Sequence, residues 1–173
     1  MIFGFHLFVC LVLLVLHTTA ISPWIPPGLR YDPLIPFVVF LGLHRRPAEG
    51  LPAMLAAGFL ADGLSAAPFG LFGIVYLLLL LAVWRGAGFF RSDNRLLPSM
   101  GVVAGVSLEH LVFLVLSGSF GAAGSASRHL AFLTLRLAAA ALTGPAIVAV
   151  LRFAGEIWDE RIAAALEKRD SRI

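Results

Sequence analysis

No charged side chain occurs between Met1 and Leu29, and Ile2–Ile21 alone supplies a full membrane crossing. A helix needs roughly 20 apolar residues to span the hydrocarbon core of a bilayer. Apolar runs of that length recur along the chain. Leu96–Ser117 and Leu130–Leu151 each fill one crossing. Between Arg46 and Arg85 lie 38 residues whose only charges are Glu49 and Asp62. That stretch is too long for one span and just enough for two. Its break falls in Ser65-Ala66-Ala67-Pro68-Phe69-Gly70, where proline and glycine favour a turn. The spacing predicts helices over about 50–65 and 69–84.

Composition makes lipid the solvent for most of this chain. Charged residues are 13% of 173, against roughly 25% in soluble domains. Apolar residues make up 60%, and the mean hydropathy is +0.94. A soluble domain of this size exposes a large surface that water must tolerate, and so few charges could not cover it. The first segment lacks the basic start of a signal peptide, and Thr18-Thr19-Ala20 is a loose match to a cleavage site. We therefore read it as a retained helix.

Pro33–His44 is apolar but only about a dozen residues long between Arg30 and Arg45. At 1.5 Å per residue it falls short of ~30 Å unless its flanks join in. It reads as a short crossing, with Trp24 and Tyr31 as interface anchors, or as a re-entrant segment. The expected fold is an all-α, polytopic transmembrane helix bundle of about six crossings. Residues 1–151 form the bundle, and residues 152–173 form an amphipathic cytoplasmic tail helix.

Charge supplies the orientation. With six crossings and a cytoplasmic N-terminus, Arg45, Arg46, Arg85, Arg91, Arg95, Arg152, Arg161, Lys168, Arg169 and Arg172 lie inside. Only Arg30 and Arg128 lie outside, which is a strong positive-inside bias. A five-helix arrangement with the N-terminus outside fits no worse, so charge fixes the C-terminus alone as cytoplasmic. In the tail, Ile157, Trp158, Ile162 and Leu166 recur at helical spacing among charged residues. Such a helix lies on the membrane surface or docks a cytoplasmic partner.

Three ionisable residues fall inside the apolar spans: Asp62, Glu109 and Arg136. Each is costly there and raises the question of a partner or a function. Glu109 and Arg136 fall at similar depth on consecutive helices, and we expect them to pair as an intramembrane charge pair. Asp62 joins them or faces the outer interface. A packing clamp between helices is a better reading of these charges than catalysis.

His6, His17, His44, His110 and His129 are scattered, and no HExxH, CxxC or paired-His spacing marks a metal site. No phosphate-binding glycine loop is present, and Glu109-His110 has no marked nucleophile beside it. We expect no enzyme activity, no cofactor and no metal. Cys10 is the sole cysteine and sits in an apolar run, so it reads as a small buried hydrophobe. The pI near 9.8 reflects topology rather than nucleic-acid binding, because net charge is only +3 and its basic residues are dispersed through loops.

Small residues complete the pattern. Ala53, Ala56, Ala57, Gly58, Ala61 and Gly63 give the third helix a smooth face, as do Gly101, Ala104 and Gly105 in the fifth. Such faces let helices approach closely. From Pro33 to Tyr76 there follow in order a proline-led apolar segment (Pro33, Pro36), a short loop with Arg45 and Arg46, then Gly58-Phe59-Leu60-Ala61-Asp62. Ser65-Ala66-Ala67-Pro68-Phe69-Gly70 and an apolar helix through Tyr76 complete it. This stretch, about a quarter of the chain, resembles the bacterial rod shape-determining protein MreD. Ala61 departs from the glycine common before that aspartate in the family.

The resemblance implies a multi-pass protein of the bacterial inner membrane, a scaffold of the cell-elongation machinery with no catalytic residues. Gly58, Asp62, Pro68 and Gly70 are the family-motif and helix-packing residues it marks. Implied partners are the bitopic protein MreC, then the actin-like MreB, the glycosyltransferase RodA and its transpeptidase. The family's fold is similar to the six-helix substrate-binding subunits of energy-coupling-factor transporters. That likeness supplies a rival function: a ligand pocket between helices drawing on Glu109, His110 and Arg136.

Overall fold

The structure, a computed structural model, describes residues 2–21, 24, 26, 30–65, 69–89, 96–116 and 126–170. Among the described residues it is all helix. The order is α1 (Ile2–Val15) with a π-helical continuation (Leu16–Ile21), α2 (Leu34–His44) and α3 (Pro47–Leu64), followed by α4 (Leu71–Phe89), α5 (Leu97–Leu116) and α6 (Ala126–Asp170). Among the described residues, two stretches are long and apolar enough to cross a membrane: Leu97–Val115 in α5 and Ala131–Arg161 in α6. Gly4–Val15, Leu34–His44 and Leu71–Ala87 are shorter apolar helices.

The ambiguous segment is the centre of the molecule. Helix α2 touches each of the other five helices, and Leu34 to Gly42 are all buried. Eleven residues give it about 16 Å. Such a short helix is tolerated at membrane depth when protein rather than lipid surrounds its ends. Its bulky residues are therefore packing residues. Glycines on the enclosing helices set the approach. A Cβ at Gly105 of α5 would fall 2.5 Å from Ile35 and 2.8 Å from Leu79, and one at Gly101 would fall 2.9 Å from Val39. The expected smooth faces are used in part: Ala53, Ala57, Gly58 and Ala61 are buried, whereas Gly63 and Ala104 are exposed.

Helix α3 begins at Pro47, three residues earlier than predicted. Proline at the first helical position has no N–H to leave unpaired and a fixed φ suited to the start. Helix α6 runs unbroken from the bundle into the tail. That tail is docked where it leaves: Arg45 Nη1 at the end of α2 bonds Asp159 Oδ2 at 2.7 Å, and Phe5 of α1 stacks on Trp158 with centroids 5.0 Å apart. A Cβ at Gly155 would meet the Arg45 guanidinium at 2.8 Å, so glycine leaves room for the bridge. The start of α1, the end of α2 and the tail thus share one end of the bundle.

Candidate functional site

At the opposite end, the end of α3 packs against the start of α4. Asp62 is 5% exposed, and its carboxylate reaches the first turn of α4. Oδ1 accepts the Phe72 N–H at 2.9 Å and Oδ2 the Gly73 N–H at 3.3 Å. The first N–H groups of a helix have no intrahelical acceptor, and a negative charge there is favoured by the helix dipole. Asp62 is thus a helix cap supplied by the neighbouring helix. Gly58, one turn earlier, makes this reach possible: a Cβ there would lie 2.7 Å from the Gly73 Cα. Gly70 has φ +94°, a left-handed conformation that glycine adopts without strain. Phe59 and Phe69 close the turn edge to face at 5.1 Å. Pro68 lies outside the described residues.

Asp62 accordingly spends its carboxylate on α4. The groups that gather in the core come from elsewhere. Asp32, just before α2, accepts the Leu34 N–H at 2.9 Å on Oδ1 and the Tyr76 hydroxyl on Oδ2. Beside it, the Tyr31 and Thr143 hydroxyls lie 2.5 Å apart and tie the α2 entry to α6. Glu109 of α5 is within electrostatic reach of Asp32, of Tyr76 and of Arg136 on α6. His17 interacts with Asp32 in the same way, and Cys10 with Asp32 and Tyr76.

Glu109 and Arg136 are within electrostatic reach of each other, and no contact closer than 4 Å joins their charged groups. The Arg136 Nε is buried and has no hydrogen-bond partner among the described residues. Phe72 of α4, one turn before Tyr76, and Phe113 of α5, one turn after Glu109, meet edge to face at 5.8 Å.

Sequence reasoning missed Asp32 and Tyr76. Asp32 lies beside Arg30 in what reads as a loop, and Tyr76 reads as part of an apolar helix. The one available signal was Asp32-Pro33, a helix-start pair that fixes Asp32 at the buried end of α2. Among the described residues, no group of three or more His, Cys, Asp and Glu side chains is placed to hold a metal ion. Comparison with protein-family models, curated proteins and solved structures finds no match to this chain.

Proposed function

We propose that this chain is a non-catalytic inner-membrane scaffold of the bacterial cell-elongation complex. In this reading it crosses the membrane six times, binds MreC within the bilayer and helps organise peptidoglycan synthesis with MreB, RodA and the transpeptidase. The observation that carries the reading is the α3–α4 joint. The residues on which the resemblance to MreD rests act on one another there: Gly58 admits α4, Asp62 caps it and Gly70 makes the turn. They form one structural device, which is how a motif of a non-catalytic bundle behaves.

Six crossings are supported by the Phe5–Trp158 stack, which sets the first helix start and the last helix end on one side. An even number of crossings fits that placement, and the basic bias favours the cytoplasm for that side. A second reading, the substrate-binding subunit of an energy-coupling-factor-type transporter, is favoured by one observation: Asp32, Tyr76, Glu109 and Arg136 converge from four parts of the chain. Affinity purification from the native membrane separates the two. Co-purification of MreC supports the scaffold. Recovery of an ATPase module without wall-synthesis proteins overturns it.

A further inference from the structure

Two glycines of α5 fix how deep α2 begins. Val39 lies against Gly101 and Ile35 against Gly105, so the two helices run antiparallel in a fixed register. Extended by three residues, that register puts Asp32 level with Leu108. Leu79 of α4 lies against the same Gly105, which puts Tyr76 level with Leu108 too. The hydrogen bond from the Tyr76 hydroxyl to Asp32 agrees with both. Leu108 is well inside the apolar stretch Leu97–Val115: seven residues, about 10 Å of helix, remain beyond it. Tyr31 reaches deeper. Its hydroxyl lies 2.5 Å from that of Thr143, and Thr143 donates its own proton to the Ala139 carbonyl, so Tyr31 is the donor. Thr143 is twelve residues, about 18 Å, inside the stretch Ala131–Arg161.

The chain stands at this depth without helical backbone. Arg30, Tyr31 and Asp32 precede the helix, and with Pro33 they are only half-buried. The Tyr31–Thr143 pair is exposed. Irregular backbone at membrane depth is tolerated where protein encloses it or where it lines water. Protein does not enclose it here, and lipid is a costly neighbour for the charge of Arg30. We propose that residues 30–33 and Thr143 line a water-filled vestibule, open on the side of the membrane where Trp24 lies and reaching about 10 Å inward to the start of α2. The eleven residues of α2 supply about 16 Å more, so helix and vestibule together approach the ~30 Å of hydrocarbon. This inference takes from the scaffold reading only that α5 and α6 cross the membrane.

The test is thiol labelling of the full chain, carrying Cys10→Ala, in sealed membrane vesicles. A membrane-impermeant, positively charged methanethiosulfonate is applied to one side at a time. Thiols react as thiolates, which form in water and not in lipid. Leu78, exposed on α4 within one turn of Tyr76, supplies the lipid-facing reference. Trp24→Cys, Arg30→Cys and Thr143→Cys should all be modified from one and the same side, and Leu78→Cys from neither. Failure to modify Thr143→Cys from the Trp24 side overturns the proposal. Equal modification of Leu78→Cys overturns it as well, because this depth would then lie outside the membrane. Thr143→Cys is nearly isosteric, so its result decides the matter even if Arg30→Cys fails to fold. If the shared side proves to be the cytoplasm, the vestibule stands and the six-crossing reading falls instead.

Discussion

At Gly58 the neighbouring backbone is what a side chain would strike, so even one methyl group has nowhere to go. Gly58→Ala should destabilise the protein by about 1–3 kcal/mol through overpacking, despite the gain in helix propensity. Gly63 and Gly86 have nothing within 4 Å of an added Cβ, so alanine at either should be neutral or slightly stabilising. Thermal unfolding in detergent ranks the three variants; equal behaviour would mean that α3 and α4 do not touch at Gly58. Asp62→Ala removes both acceptors from the α4 start. Its expected cost is about 1–3 kcal/mol, the penalty for stranding buried donors. Asp62→Asn keeps one acceptor and should fall between. The sequence marked Asp62 by its charge in an apolar run but could not say what it binds. Its partners are backbone N–H groups, which carry no sequence signature.

Helices that water or lipid bounds are readable from hydropathy, because the solvent imposes the pattern. This is why α3 to α6 fall within a few residues of their expected positions. Helix α2 is different: its apolar run answers to five protein neighbours, so length alone left its role open between crossing and re-entrant loop. The same limit applies to the tail. Amphipathic spacing predicted a helix leaving the bundle, but its anchor, Arg45–Asp159, joins residues 114 apart in sequence. Arg45 is 11% exposed and Asp159 44%, so this bridge is only partly shielded from solvent. A double-mutant cycle on Arg45→Ala and Asp159→Ala should return a coupling of about 1.5 kcal/mol, the low end for charged hydrogen bonds. Raised salt should weaken it only modestly, because partly buried pairs are poorly screened. Zero coupling would mean that Phe5–Trp158 stacking and the Gly155 approach hold the tail without it.

For the whole molecule, the stack of Phe5 on Trp158 carries the main topological prediction. Reporters fused to the N-terminus and to the C-terminus should both report the cytoplasm. An N-terminal reporter on the far side would exclude six crossings. The position of α2 also bears on how the chain is made. As synthesis proceeds from the N-terminus, α2 emerges when only one of the five helices that will enclose it exists. It is too short to hold itself across ~30 Å of hydrocarbon, and its nine buried residues have as yet no protein around them. In the six-crossing reading, insertion is then provisional until α5 and α6 arrive, and the membrane insertase or a chaperone shelters α2 in the interval. A nascent chain stopped after α4 should cross-link through Val38 or Val39 to that machinery or to lipid, and the full-length chain should not. The centre of this molecule is the part it completes last.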